Sequence, residues 1–223
     1  MYQHLCDTCV GGSNCMSHVA CDIMPVANGN TAIDCHVQVD VVRESRLADK
    51  TFSPVALRFA TAFGVSPRMR FDIVVNMLVG MAVAEKKIVL NSDGQAWRPH
   101  VYVRDIAESL LCALGSQYGE GDLLVLNVGR EDNNMKIIDV AKIVAEECGN
   151  IPVSFMTGAS GESGLIKNKL IGVSGRDTRS YKVAFKKIKE YLPEFECRYS
   201  VRAGVREARD KFEEIRIDRA AFQ

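Results

Sequence analysis

The sequence predicts an α/β fold in which the strands of a parallel sheet alternate with helices. Short apolar runs at residues 55–60, 88–90 and 123–126 lead into glycine or turn residues, as buried parallel strands do. Helical periodicity occupies the stretches between and after these runs. The 223 residues, 47% hydrophobic and 25% charged, are enough for one large domain with a core of its own.

The elements follow in order from Pro54. The predicted strands are residues 55–60, 88–90, 100–103 and 123–126. The predicted helices are residues 70–85, 105–114, 136–148, 181–192 and 201–215. Asp105 and Glu108 have the spacing of a capping box, so we expect Asp105 to be the N-cap of its helix. Residues 157–178 are rich in Gly, Ser, Asn and Thr and predict a long loop.

Charge excludes several classes of partner. Lys and Arg number 28, and Asp and Glu also number 28, so the formal net charge is zero. A neutral chain gives no reason to expect a nucleic acid or an acidic membrane as partner. The longest apolar run, residues 77–84, is too short to span a membrane. No basic, apolar or Arg-rich leader is visible at the start, so we expect a cytoplasmic protein.

The first residues differ from the rest of the chain. Residues 1–40 contain no Lys or Arg, and five of the eight cysteines lie within residues 1–35. Cys6 and Cys9 have the spacing of half a zinc site, and further candidate ligands are Cys15, Cys21, His4, His18 and His36. No second short ligand pair follows, and nothing indicates the export that a disulfide framework requires. We therefore expect no metal, and we divide the chain into an unassigned segment, 1–36, and a domain, 37–223.

Four stretches of the domain carry a resemblance to a known family. Gly94-Gln-Ala-Trp-Arg98-Pro-His-Val-Tyr-Val-Arg-Asp105 resembles the block G-x-x-x-R-x-x-V-H-V-x-D. The other stretches are residues 53–76, Leu126-Asn-Val-Gly129 and Arg176-Asp-Thr-Arg-Ser-Tyr-Lys-Val183. Taken in their order along the chain, the four stretches resemble the NAD-dependent epimerase/dehydratase family of extended short-chain dehydrogenases/reductases, which modifies nucleotide sugars. The resemblance covers about residues 37–215.

The resemblance implies four substrate-binding residues. Thr61 occupies a position where the family often has Asn, near the nicotinamide and the sugar. Asn76 and Arg98 match positions that contact the diphosphate, and Arg179 lies near a second basic contact. An Arg guanidinium suits this role because its fork matches phosphate oxygens at two points. Two alternatives stay open, namely a surface salt bridge for Arg98 and a helix-surface amide for Asn76.

Two neighbouring residues are expected to serve packing. His100 stands where the family usually has an aromatic residue, and Tyr102 stands at the family's His position. We weight structural packing over catalysis for both of them.

The cofactor half that the resemblance implies should precede Pro54. It would contain a G-x-x-G-x-x-G loop that binds NAD and a Tyr-x-x-x-Lys pair, in which Lys lowers the pKa of the acid/base Tyr. The expected Tyr and Lys positions hold Ile33 and Val37. We therefore expect the chain to lack both the glycine loop and the catalytic residues, and NAD binding is expected only with the missing half. The predicted fold is the C-terminal part of a Rossmann-like parallel sheet with a small substrate-binding lobe.

Two functions follow from these expectations. The first is a truncated family member that keeps the nucleotide-sugar site but is inactive alone, with residues 1–36 arising from truncation, a shifted frame or a fusion. The second is a non-catalytic module that binds a nucleotide sugar or a protein partner. Sheet strands without their neighbours expose edges, so self-association into a homo-oligomer is also expected.

Overall fold

A computed structural model of the protein describes residues 23–25, 54–116, 123–155 and 180–218. The strands are β1 (Ile23–Pro25), β2 (Val55–Phe59), β3 (Thr61–Phe63), β4 (Ile88–Leu90), β5 (Trp97–Tyr102), β6 (Leu124–Val128), β7 (Asn134–Lys136), β8 (Val153–Phe155) and β9 (Tyr181–Val183). The helices are α1 (Val74–Glu85), α2 (Val103–Gly115), α3 (Ile137–Glu147), α4 (Lys186–Tyr191) and α5 (Val201–Glu214).

Strand pairing confirms the predicted α/β fold. Three pairs are parallel: β2 with β6, β3 with β5, and β4 with β8. The chain passes from β2 to β3 through Ala60, whose backbone N–H donates to the carbonyl of Val128 at 3.1 Å. Strand β7 runs antiparallel to β5, and β1 runs antiparallel to β9.

Strand β5 lies between two apolar clusters. Helices α1, α3 and α5 form the larger cluster with Tyr102, and their interior residues include Leu78, Val79, Val144, Val205 and Phe212. Val101 belongs to the smaller cluster with Leu126, Val128, Ile188, Leu192 and Phe195. Successive residues of a strand point to opposite faces, so β5 buries one set of side chains on each side.

Asp105 does not cap its helix, so that prediction is wrong. Helix α2 begins at Val103 with Tyr102 as its N-cap, and no side chain bonds the cap. The buried Asp105 carboxylate instead accepts hydrogen bonds from the backbone N–H groups of Arg198 (2.9 Å) and Tyr199 (3.1 Å) and from the thiol of Cys197 (3.1 Å). Three tertiary donors anchor residues 197–199 to the first turn of α2.

The predicted helix 181–192 is divided into β9 and α4. Asn134 explains the division, because its amide oxygen accepts from the N–H of Val183 at 2.9 Å and its amide nitrogen donates to the Val183 carbonyl at 3.0 Å. With both backbone groups bonded to a side chain, Val183 is extended, and the helix begins at Lys186.

Other differences concern element ends. The helix predicted from residue 70 begins at Val74, and the strand predicted at 100–103 extends back to Trp97. No helix in the described ranges is long and apolar enough to cross a membrane.

Candidate functional site

One face of strands β3 and β5 brings two of the predicted site residues together. In the parallel register, Thr61 is paired with His100 and Phe63 with Tyr102. Alternate residues of a strand share a face, so Arg98 lies on the same face as His100 and Tyr102. Thr61 and Arg98 therefore flank His100, one across the strands and one along β5. We call Thr61, Arg98 and His100 the polar row.

Arg98 is held in the interior of the protein. Its residue surface is 8% exposed, which does not fit the surface salt bridge considered from the sequence. Its Nη1 donates to the Trp97 carbonyl at 2.8 Å, and its Cζ lies 5.3 Å from the centroid of the Tyr181 ring. A guanidinium is costly to bury, so its burial at this place in the sheet favours a role in holding an anion.

His100 is packed in the interior, as expected, but its two ring nitrogens are in an unusual environment. It is fully buried and lies edge-on to Phe63, with ring centroids 6.3 Å apart. Among the described residues, neither ring nitrogen has a hydrogen-bond partner. Burial, and then the charge of Arg98, lower the pKa of His100 from 6.5 to about 4, so the imidazole is neutral at pH 7.

Asn76 is buried rather than exposed on a helix surface. Its amide oxygen accepts from the Gly64 N–H at 2.9 Å. Its amide nitrogen donates to the Arg70 carbonyl at 3.0 Å and to the Gly64 carbonyl at 3.4 Å. The side chain thus closes the loop between β3 and α1, and its contact with a diphosphate stays a prediction.

Arg179 lies outside the described residues. The next residue, Ser180, is described, and its hydroxyl oxygen accepts from the Trp97 N–H at 3.1 Å. Tyr181 follows and covers Arg98. The chain beside Arg179 therefore reaches the edge of the polar row.

Two lysines beside Trp97, on the face of β5 opposite to the polar row, were not predicted. The Nζ atoms of Lys182 and Lys136 lie 3.6 Å and 5.8 Å from the ring centroid of Trp97. These residues belong to β9 and β7, so only strand pairing brings them to β5. No local pattern in the sequence indicates this meeting.

The other end of the same face is a closed aromatic core. Tyr102 contacts Phe63 at 5.3 Å between ring centroids and stacks on Tyr199 at 4.5 Å. Burial and the neighbouring Glu207 raise the pKa of Tyr102. Gly204 of α5 leaves space for these rings, since a Cβ there would lie 2.5 Å from Phe63 and 2.6 Å from Tyr102. The packing role predicted for Tyr102 agrees with these contacts.

The glycines that follow strands β3 and β6 leave no space for a phosphate of NAD. Gly64 and Gly129 follow strands β3 and β6, where a phosphate-binding loop would begin. A Cβ at Gly64 would lie 2.3 Å from the Tyr102 ring, and one at Gly129 would lie 2.5 Å from the Phe185 ring. Aromatic side chains thus occupy the space that these glycines leave. The sequence also contains no Tyr-x-x-x-Lys.

One glycine pattern contradicts the expectation that the chain lacks a glycine loop. The spacing G-x-x-G-x-x-G, which we expected to be absent, occurs at Gly158, Gly161 and Gly164, shortly after β8. These glycines lie outside the described residues. They also follow the first three family-like blocks, whereas the resemblance implies a glycine loop that precedes all four.

No group of three or more His, Cys, Asp or Glu side chains that could hold a metal is found within the described ranges. The five cysteines of residues 1–35, and the zinc alternative that depends on them, lie outside those ranges.

Comparisons with known proteins agree with the resemblance. The model of the NAD dependent epimerase/dehydratase family matches residues 36–129, which include Thr61, Asn76 and Arg98. Among solved structures, the Thermotoga maritima UDP-glucose 4-epimerase, determined with UDP-glucose, has 21% identity and a TM-score of 0.58, covering 79% of this chain and 51% of that one. The Bacillus cereus UDP-glucuronic acid 4-epimerase, determined with UDP-glucuronic acid and NAD, has 18% identity and a TM-score of 0.58, with 79% and 50% covered.

A third solved structure gives the same result. The Helicobacter pylori ADP-L-glycero-D-manno-heptose-6-epimerase has 17% identity and a TM-score of 0.56, covering 78% of this chain and 48% of that one. At these identities the likeness establishes the fold. The chain spans about half the length of the solved structures that it matches.

Proposed function

We propose that this chain, of which residues 36–129 match the model of the NAD-dependent epimerase/dehydratase family, binds a nucleotide diphosphate sugar at the polar row. The observation that carries the proposal is the position of Arg98. Its guanidinium is buried on the same face as Thr61, within the part of the chain that matches the family. The solved structures with UDP-glucose and UDP-glucuronic acid support this class of ligand.

Each proposed contact has a distinct role. The Arg98 fork binds two oxygens of the diphosphate, and the Thr61 hydroxyl bonds the sugar side of the ligand. Arg179 adds a second positive charge, which the position of Ser180 next to Trp97 supports. Asn76 completes the set, and its bonds to Gly64 and Arg70 favour a role in fixing the loop that borders the diphosphate.

We further propose that this chain alone performs no hydride transfer. The absence of Tyr-x-x-x-Lys from the sequence removes the acid/base group that the family's reaction needs. The rings that fill the space at Gly64 and Gly129 support the same conclusion for NAD binding by the described residues. The chain would then act as a nucleotide-sugar module without a catalytic centre of its own.

Calorimetry tests this proposal. The chain is titrated with UDP-glucose, GDP-mannose, dTDP-glucose and NAD. We expect one or more of the sugars to bind and NAD not to bind. Arg98→Ala should weaken sugar-nucleotide binding about 100-fold, since hydrogen bonds between charged groups contribute about 1.5–3 kcal/mol each. Arg98→Lys keeps the charge but loses the fork, so its affinity for the nucleotide sugar should lie between those of the wild type and Arg98→Ala.

Arg104→Ala is the matched control. Arg104 lies in the first turn of α2, six residues after Arg98, but its side chain is 58% exposed and pairs with Glu207. The Arg104→Ala variant should bind the nucleotide sugar with the affinity of the wild type. Binding of NAD would contradict the proposed lack of a cofactor site. Failure of all three nucleotide sugars to bind would contradict the proposal and favour the alternative, a module for a protein partner.

A further inference from the structure

His100 differs from the buried Asn and Asp side chains of the described region. Asn133, for example, is 1% exposed, and its amide donates to the Tyr199 carbonyl at 3.0 Å and accepts from the Val201 N–H at 3.1 Å. Asp105 and Asn76 are likewise saturated with hydrogen bonds. His100 is as deeply buried, yet both of its nitrogens lack a partner. Buried polar groups without partners are rare and costly, so this one calls for a physical reason.

The position of His100 supplies that reason. Its neighbour across the strands is Thr61, at about 4.8 Å, the spacing of adjacent hydrogen-bonded strands. Arg98 lies two residues away on the same face, or about 7 Å along the strand. A group bound to Arg98 would therefore have its next atoms within reach of His100 and Thr61.

The chemistry of His100 selects the kind of group. A neutral imidazole offers one donor and one acceptor, and the lowered pKa of about 4 keeps it neutral at pH 7. The positive charge of Arg98 opposes a second cation beside it. A phosphate oxygen only accepts hydrogen bonds and is better matched by Arg98. A hydroxyl group both donates and accepts, and it complements a neutral imidazole.

We propose that His100 recognises a ring hydroxyl of the sugar moiety while Arg98 holds the diphosphate. This inference rests on the proposed function and assigns the sugar end of the ligand to His100 and Thr61. The Tyr181 ring, whose centroid lies 5.3 Å from the Arg98 Cζ, borders this site. Without ligand, the unpaired imidazole reduces the stability of the protein, and the bound hydroxyl restores its hydrogen bonds.

The test compares a nucleotide sugar with the nucleoside diphosphate that lacks the sugar. Calorimetry is performed with whichever member of the panel binds the wild type best, and with the matching UDP, GDP or dTDP. His100→Phe keeps a flat ring and removes both nitrogens. We expect it to bind the nucleotide sugar about tenfold more weakly and the nucleoside diphosphate with unchanged affinity.

Two further readouts separate recognition from packing. His100→Gln keeps a donor and an acceptor, so it should retain most of the affinity for the nucleotide sugar. The melting temperature of ligand-free His100→Phe should equal or exceed that of the wild type, because a buried unpaired polar group has been removed. Arg98→Ala, in contrast, should weaken the binding of both ligands.

The outcomes are distinct. Unchanged affinity of His100→Phe for the nucleotide sugar would overturn the inference and make His100 a packing residue. An equal loss for the sugar and the nucleoside diphosphate would also overturn it, because His100 would then act outside the sugar subsite. A wild type that binds no member of the panel contradicts the proposed function itself, and these results cannot be mistaken for one another.

Discussion

The two ends of one face of strand β5 are equally buried and differently built. At one end Tyr102 is enclosed by Phe63 and Tyr199, and Gly64 and Gly204 leave the space that its ring occupies. At the other end, Arg98 and His100 bring a charge and an unpaired imidazole into the interior. Only one residue, Val101, separates His100 from Tyr102.

This difference indicates that the two ends serve different purposes. Contacts among its rings and the fit of its glycines stabilise the aromatic end, although the Tyr102 hydroxyl there is also buried without a hydrogen-bond partner in the described region. At the polar end, the His100 imidazole, unpaired among the described residues, reduces the stability of the free protein. Such a local cost is typical of a functional site, where the surrounding fold maintains a group that a ligand will satisfy.

The largest expected effect is on the pH dependence of the polar end. The ordinary pKa of 6.5 applies to His100 in the unfolded chain, whereas the folded value is about 4. As pH falls below 6.5, the unfolded state binds a proton that the folded state does not, so the free energy of unfolding decreases. The loss continues until about pH 4 and amounts to about 3 kcal/mol, at about 1.4 kcal/mol per pKa unit.

Urea unfolding of the wild type and of His100→Phe between pH 7 and pH 4 checks this effect. The difference between the two proteins isolates His100 from the carboxylates that titrate at lower pH. One of these is Glu147, whose pKa is lowered to about 2 by Arg206 and Arg202, so that its contribution is present above about pH 4.5 and is lost toward pH 2. Identical pH profiles for the wild type and the variant would remove the energetic distinction between the two ends.

A smaller effect is expected at the aromatic end. Gly204→Ala places a methyl group against the rings of Phe63 and Tyr102. Despite the better helix propensity of Ala, we expect the free energy of unfolding to fall by about 2 kcal/mol, as overpacked cores do. Gly115→Ala is the control, since nothing lies within 4 Å of a Cβ there. Equal stability of the two variants in urea unfolding would contradict a tightly packed aromatic end.

The sequence predicts the parts of this comparison that depend on local patterns. Apolar runs identify β2, β4 and β6, and helical spacing identifies α1, α3 and α5. Strands β3, β7, β8 and β9 have three residues each, as β4 does, but they lack its continuous apolar run, and tertiary pairing defines them. The division of residues 181–192 depends in the same way on the Asn134 side chain, which is distant in sequence.

The sequence predicts which residues form the candidate site but not how they are positioned relative to one another. Family-like blocks single out Thr61 and Arg98, and only the register of β3 on β5 places them on either side of His100. The sequence gives no sign that His100 lacks partners, because partners come from the folded neighbourhood. Asp105 also depends on distant partners. Its local sequence pattern predicts a helix cap, but in the folded protein its carboxylate accepts hydrogen bonds from three donors in residues 197–199.

Nitrogen NMR of the histidine imidazoles tests the central claim most directly, because it leaves the polar row unaltered. Protein labelled with ¹⁵N in its histidines is titrated at pH 7 with the nucleotide sugar that binds best, and the His100 signals are those missing from His100→Phe. If His100 bonds a sugar hydroxyl, we expect a neutral imidazole at pH 7. Its two nitrogen resonances should shift when the nucleotide sugar binds and shift little when the nucleoside diphosphate binds. His100 signals that stay unchanged while the nucleotide sugar saturates the protein would contradict this expectation.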